Sequence, residues 1–266
     1  MMIIAVLQAR FSSSRLPGKV MKDLLDEPML YRQIERVSRS KHITRLIIAT
    51  SNDQSDNPLE KMCHDKGINC FRGSLDDVLD RFYHAAEPFA PDHVIRLTGD
   101  CPLIDSDIID SVIEMHLAHN NDYTSNTMPP TFPDGLDVEI MTWSALVAAW
   151  NNASLPSERE HVTPFIRKHS ERFRLGNFKR TCGDLSQLRW TVDEPEDLLF
   201  VRRVYDALYQ KNTAFTTDDV LELLRVHPKL NTINFGFERN EGYTKSLKTD
   251  GVFFDLTKSK QEGCER

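Results

Sequence analysis

Ile3-Ile4-Ala5-Val6-Leu7-Gln8-Ala9-Arg10-Phe11-Ser12-Ser13-Ser14-Arg15-Leu16-Pro17-Gly18-Lys19-Val20 sets an apolar run against a loop of small hydroxyls, three cations and a Pro-Gly turn. The apolar run reads as a buried strand, and the turn residues end it. Cations clustered just past such a strand suit an anion, because α/β proteins bind ligands beyond the carboxyl ends of parallel strands. A triphosphate carries about four negative charges, so one metal dication and two or three of these side chains would neutralise it. Backbone N–H groups along Ser12 to Ser14 could add donors. A basic triplet alone is equally consistent with a solvated surface; its place after the strand favours the phosphate reading. The loop is not a Walker A motif, since Ser13 stands where the first glycine belongs and Val20 where Ser or Thr should follow the lysine. No G-x-G-x-x-G pattern replaces it.

Working outward, short β-branched runs alternate with amphipathic stretches, the pattern of βαβ units and a largely parallel sheet. Arg45 to Thr50 and His93 to Leu97 read as strands, with a weaker candidate at Ile68 to Phe71. Helices are predicted near 28–38, 58–66, 76–87 and 106–119, the last capped by Asp105 or Ser106. A Pro-rich loop, Met128 to Gly135, then feeds the alternating strand Leu136 to Ile140. Helices follow at 143–151 and 157–169, the second opened by a Ser157-to-Glu160 capping box and bent or divided at Pro164. Arg189 to Val192 reads as a further strand, with helices near 195–209 and 217–225. The last ten residues read as a solvated tail.

Composition narrows the function. The 266 residues are 40% hydrophobic, enough for a sizeable core, and 40 acidic against 33 basic residues give a formal charge of -7. That charge argues against a general nucleic-acid binder. No apolar stretch reaches the length of a membrane span, and Met1 to Leu7 is too short for a secretory core, so a soluble cytoplasmic protein is expected. The five cysteines, Cys63, Cys70, Cys101, Cys182 and Cys264, include no C-x-x-C pair and fit a reducing compartment. His116 and His119 lie one turn apart without an evident third ligand, which reads as a surface pair rather than a zinc site.

The loop A-R-x-x-S-x-R-L-P-G-K, carried by Ala9 to Lys19, resembles that of the sugar nucleotidyltransferases, specifically the cytidylyltransferases that activate acidic sugars. The similarity is strongest to the spore coat polysaccharide biosynthesis protein F group, which is related to the CMP-KDO and acylneuraminate cytidylyltransferases. Phe71 to Phe82, Arg96 to Leu103, Asp134 to Glu139, Glu158 to Pro164 and Trp190 to Asp197 agree in order. The resemblance implies a Rossmann-like α/β fold, a mixed, mostly parallel sheet flanked by helices. One nucleotidyltransferase domain would span 1–245, with an inserted segment at about 128–180 for sugar binding or dimerisation and a polar tail at 246–266.

The implied reaction is transfer of CMP from CTP to a sugar, with pyrophosphate released and Mg²⁺ as cofactor, in a homodimer. Arg10, Arg15 and Lys19 would act on the phosphates, and Gln8, Ala9, Gly73, Ser74 and Thr98 would approach the nucleoside. Asp100 and Asp193, each following a strand-like run, would hold the metal, since Mg²⁺ prefers few carboxylates with phosphate and water oxygens. Either could instead be a turn or helix-start residue, and Gly73-Ser74 could be an ordinary helix start. Asp134, Asp137, Glu139, Glu160 and His161 are the candidates for the acceptor sugar, though Glu160 is also explained by capping. Two rivals remain at this stage. A nucleotide-sugar glycosyltransferase would ordinarily show Asp-x-Asp where this chain has Gly99-Asp100-Cys101; a noncatalytic nucleotide-binding protein would bind CTP without turnover.

Overall fold

A computed structural model describes residues 1–13, 15–237, 239 and 242–251. Ser14 and Cys264, and with Cys264 the tail beyond residue 251, lie outside the described residues. The apolar first run forms β1 (Ile3–Gln8), which pairs in parallel with β2 (Arg45–Ser51) on one side and β4 (His93–Thr98) on the other; β3 (Asn69–Gly73) extends the sheet beyond β2. Alternate residues of these strands feed two layers of core. Ile3, Ala5 and Leu7 pack on one face, with α1 (Met29–Val37), α2 (Asn57–Asp65) and α4 (Ser106–Ala118). Ile4 and Val6 pack on the other, with α3 (Val78–Ala86) and α5 (Trp143–Asn152). Burial on both faces is why the parallel strands read as near-continuous apolar runs.

The other half of the sheet is antiparallel at its seam. β6 (Glu139–Thr142) pairs antiparallel with β4 and with β5 (Tyr123–Ser125), and β7 (Leu175–Asn177) lies parallel to β5. The order is β3-β2-β1-β4-β6-β5-β7, the mixed, mostly parallel α/β sheet expected.

The structure corrects several local readings. Leu136 to Val138 is not strand, because the Asn126 side chain takes the ladder's place: it donates to Leu136 O at 2.7 Å and accepts from Val138 N at 2.9 Å. Arg189 to Val192 forms only an isolated bridge from Arg189 to Asp134. The 157–169 helix is two, α6 (Pro156–His161) and α7 (Pro164–Lys168), divided at Val162 with φ 70°. Its opening is not capped by Ser157; the Glu158 carboxylate accepts from the Leu155 backbone N–H instead. Asp105 caps α4 as expected. His116 is buried, not at the surface, and bonds His93 and Thr124. The C-terminal third adds α8 (Pro195–Leu208) and α9 (Thr217–Val226). Residues 246–251, read as the start of a polar tail, belong instead to a helical run over 242–251 in which Ser246 and Asp250 are buried.

Candidate active site

The parallel register sets Gln8 beside Thr98, so the loops leaving β1 and β4 emerge together. Gly99 lets them touch: a Cβ there would lie 2.9 Å from Ala9 Cβ and 3.0 Å from Gln8 O. The first loop is pinned by the buried Asp56, which accepts from Phe11 N at 2.6 Å and Ser51 N at 3.0 Å. Gly18, at φ 66°, then turns the chain over the Phe11 ring and delivers Lys19 back toward β4.

Lys19 is not the exposed loop lysine that a basic surface cluster would contain; its side chain is only 12% exposed. Its Nζ donates to Asp100 Oδ2 at 3.1 Å, Asp193 Oδ1 at 2.7 Å and Val192 O at 2.8 Å. Burial opposes its charge, yet the Asp100 and Asp193 carboxylates outweigh burial and hold its pKa above the ordinary value. Burial likewise opposes ionisation of Asp100, and Lys19 with local hydrogen bonds overrides it, holding Asp100 down at about 2. Arg15 Nη2 adds a contact to Asp193 Oδ2 at 3.0 Å.

The Asp193 segment is held in register although it is not a strand. Val192 N donates to Asp100 O at 2.8 Å, while Arg189 joins Asp197 at 2.9 Å and Asp193 at 3.3 Å. Two carboxylates from distant parts of the chain thus share one cation at the rim of the sheet. Among the described residues no group of three or more His, Cys, Asp and Glu side chains forms a metal cluster. A two-carboxylate donor set facing a basic loop suits Mg²⁺ completed by phosphate and water oxygens, so the residues present fit that ion.

These groups open onto a cavity of about 1060 Å³. Gln8, Ala9, Arg10, Arg15, Lys19, Thr98, Asp100 and Asp193 line it, and Gln8 Oε1 is a buried acceptor with no partner among the described residues. Gly73 and Ser74 are not on the wall. They lie behind Arg81, which reaches the cavity and donates to Ser74 O. Burial, then the nearby Arg10, lowers the Arg81 pKa to about 10.

Asp134, Asp137, Glu139, Glu160 and His161 line the cavity as well, and Arg189 links Asp134, at 3.5 Å, to Asp193, at 3.3 Å. Asp134 and Asp137 face Arg239, and Asp137 also bonds it. Burial nonetheless pushes Asp137 up to about 7. Glu139 accepts from Tyr123 Oη at 2.5 Å, Thr163 Oγ1 at 2.7 Å and the Arg96 guanidinium. Burial opposes its ionisation, and Arg96 foremost keeps its pKa below the usual value. Its oxygens are therefore committed to protein donors, and it serves to aim Arg96 into the cavity. Arg96 and Arg167 are wall residues to which the sequence reading assigned no role; an arginine inside the apolar β4 run was the visible signal for the first. Lys245, also on the wall, gave none.

The family pattern described as "Cytidylyltransferase" matches residues 4–224. Spore coat polysaccharide biosynthesis protein SpsF of Bacillus subtilis is 35% identical over 215 residues, 79% of this chain and 87% of that protein. A cytidylyltransferase from Leptospira borgpetersenii superposes with a TM-score of 0.83 at 31% identity, covering 90% of this chain and all of the other. A CMP:2-keto-3-deoxy-manno-octonic acid synthetase solved with CTP has the same fold, with a TM-score of 0.58 at 16% identity over 77% of this chain and 99% of that one. With the family pattern spanning the cavity residues from Gln8 to Asp193, this chain belongs to the cytidylyltransferase family and is a nucleotidyltransferase that uses CTP.

Proposed function

We propose that the enzyme transfers CMP from CTP to an acidic sugar, releasing pyrophosphate and forming a nucleotide sugar for surface polysaccharide or glycoconjugate synthesis. The observation that carries this is the Lys19 ammonium between Asp100 and Asp193, with Arg10 and Arg15 on the same wall. In this reading Arg10, Arg15 and Lys19 grip the phosphates, and Asp100 and Asp193 hold Mg²⁺. That ion, when bound, offsets charge on the phosphates. Gln8, Ala9 and Thr98 contact the nucleoside, the unpartnered Gln8 Oε1 offering an acceptor to an amino group of the base. Gly73 and Ser74 act through Arg81.

A second set of wall residues supports an anionic acceptor. Arg96 and Arg167 supply cations there, while Asp134, Asp137, Glu160 and His161 suit sugar hydroxyls and Glu139 holds Arg96. The related synthetase's named substrate, a keto-deoxy sugar acid, has that chemistry. A sugar hydroxyl attacks the α-phosphorus in line; the enzyme's contribution is positioning and charge stabilisation. The 128–180 segment would close over the sugar or form a homodimer contact. No described helix is long and apolar enough to cross a membrane, which is compatible with the proposed cytoplasmic setting.

The test is a screen of the four nucleoside triphosphates against 2-keto-3-deoxy sugars and sugar 1-phosphates, read by pyrophosphate. Release with CTP and a sugar acid is expected. Release only with sugar 1-phosphates would overturn the acceptor class, and cleavage of a nucleotide sugar without any pyrophosphate release would favour a glycosyltransferase.

A further inference from the structure

Beyond residue 224, where the family match ends, the chain comes back to the cavity. Residues 242–251 are helical, and Tyr243, Lys245, Ser246 and Thr249 join the cavity wall. The run is anchored by buried groups: Asp250 accepts from the Ser157 N–H at 2.9 Å and from its hydroxyl at 2.6 Å. This is where the Ser157 hydroxyl goes instead of capping its own helix.

The second anchor settles a proton. Ser246 Oγ lies 2.6 Å from Glu160 Oε2, 3.1 Å from Gly242 O and 2.9 Å from His161 Nε2. A hydroxyl has one proton, and the short contact to a carboxylate claims it. The contact to His161 is then made only if Nε2–H donates to Ser246. The lone pair of the neutral ring is left on Nδ1, which makes no hydrogen bond among the described residues.

Burial and then Arg96 push the pKa of His161 down to about 4, Glu160 and Glu139 opposing and Arg167 adding to the shift, so the ring is neutral at neutral pH. Tyr243, from the helical run, meets the ring edge-on at 5.1 Å and also lies 5.3 Å from the Arg167 guanidinium.

We infer that residues 242–251 form the acceptor-side wall of the active site, and that Ser246 is a positioning residue that locks the His161 proton on Nε2 so that Nδ1 accepts a hydrogen bond from an acceptor hydroxyl. The inference rests on the transferase reading only for the identity of the hydroxyl as a sugar's.

Two measurements test it on the full chain. Long-range nitrogen–proton spectra of ¹⁵N-histidine-labelled enzyme read the tautomer without substrate. The Nε2–H form is expected in the wild type, a tautomer mixture in Ser246→Ala, and the Nε2–H form again in Ser246→Thr. An Nδ1–H ring in the wild type overturns the lock. Kinetics with CTP and 2-keto-3-deoxyoctonate as the probe acceptor then ask which nitrogen serves. His161→Asn keeps a polar atom near the Nδ1 position and His161→Gln keeps one near Nε2. The Gln variant should raise the acceptor KM by about tenfold over the Asn variant, the worth of one hydrogen bond. CTP affinity by calorimetry should stay within about twofold in both. Equal acceptor KM values, or CTP affinity falling in step, overturn the role of Nδ1. If the wild type binds CTP yet releases no pyrophosphate with any sugar acid or sugar phosphate, the transferase reading falls, and the role of Nδ1 toward a sugar falls with it. The tautomer and its response to Ser246→Ala still decide the lock.

Discussion

Lys19 Nζ stands 3.1 Å from Asp100 Oδ2 and 2.7 Å from Asp193 Oδ1, so a single ammonium joins the loop that leaves β4 to the residues that lead into α8. The proposed metal pair could accept a divalent ion only by sharing or releasing that ammonium, which would tie metal binding to the basic loop. Asp100→Asn removes a charge from the proposed ligand set. It should raise the Mg²⁺ concentration for half-maximal pyrophosphate release by about tenfold or more. An unchanged metal titration would remove Asp100 from the ligands.

Lys19→Ala should lower kcat by about a hundredfold, as expected for loss of a preorganised cation at a phosphate. Because the lysine is mostly buried, stability should fall too, by about 1–3 kcal/mol, since Asp100 loses its ammonium partner while Asp193 keeps Arg15 and Arg189. Mg²⁺ should restore part of that loss, raising the Tm of the variant more than that of the wild type. Thermal scans with and without the ion check this; equal shifts would mean that Asp100 and Asp193 do not share the ion.

The basic loop of the site was legible in the sequence because its cations sit together beside one strongly apolar strand. Lys19 does reach the cavity wall, but its burial depends on Asp193, far along the chain, and no local pattern reports that. The rest of the cavity wall was less legible for the same reason. Glu139 looked like the polar face of a strand, yet its partners Arg96, Tyr123 and Thr163 come from separate elements. β5 and β7 are three residues each, too short to show a period of two. Asn126 replaces a ladder partner with a side chain, an arrangement invisible to alternation. Ser157 and Glu160 had the spacing of a capping box, but bonds to Asp250 and Ser246 from the chain's end claim both.

Gly135 packs against the backbone that leads to Asp193. It sits at φ 106°, where an added Cβ would lie 2.5 Å from Thr191 N and 2.6 Å from Trp190 C. Both are backbone atoms and cannot rotate away. Gly135→Ala should cost about 2 kcal/mol or more in stability through combined strain and overpacking. Since Thr191 leads to Asp193, the variant's response to Mg²⁺ should weaken as well. Urea unfolding and the metal titration measure the two effects; a variant as stable as the wild type would show that the Trp190 segment yields without cost.

Acid should destabilise the fold through His116. The imidazole is fully buried, with Nε2 at 3.0 Å from His93 Nδ1 and Nδ1 at 3.1 Å from Thr124 Oγ1. Burial, reinforced by His93, lowers its pKa to about 4 from an unfolded value near 6.5. Between these values the unfolded chain binds the proton and the folded chain does not, so stability falls as pH falls. The contribution is intact above about pH 6.5 and is lost progressively toward pH 4, on the order of 3 kcal/mol across the full window. Burial lowers the pKa values of His93 and His161 as well, with the same sign. His116→Gln removes one of these titrations and retains an amide to meet His93. Urea unfolding at pH 7.5 and pH 4.5 should therefore show a smaller loss in the variant than in the wild type. Equal losses would assign the acid sensitivity to other groups and leave His116 as a packed, hydrogen-bonded core residue with no linkage to pH.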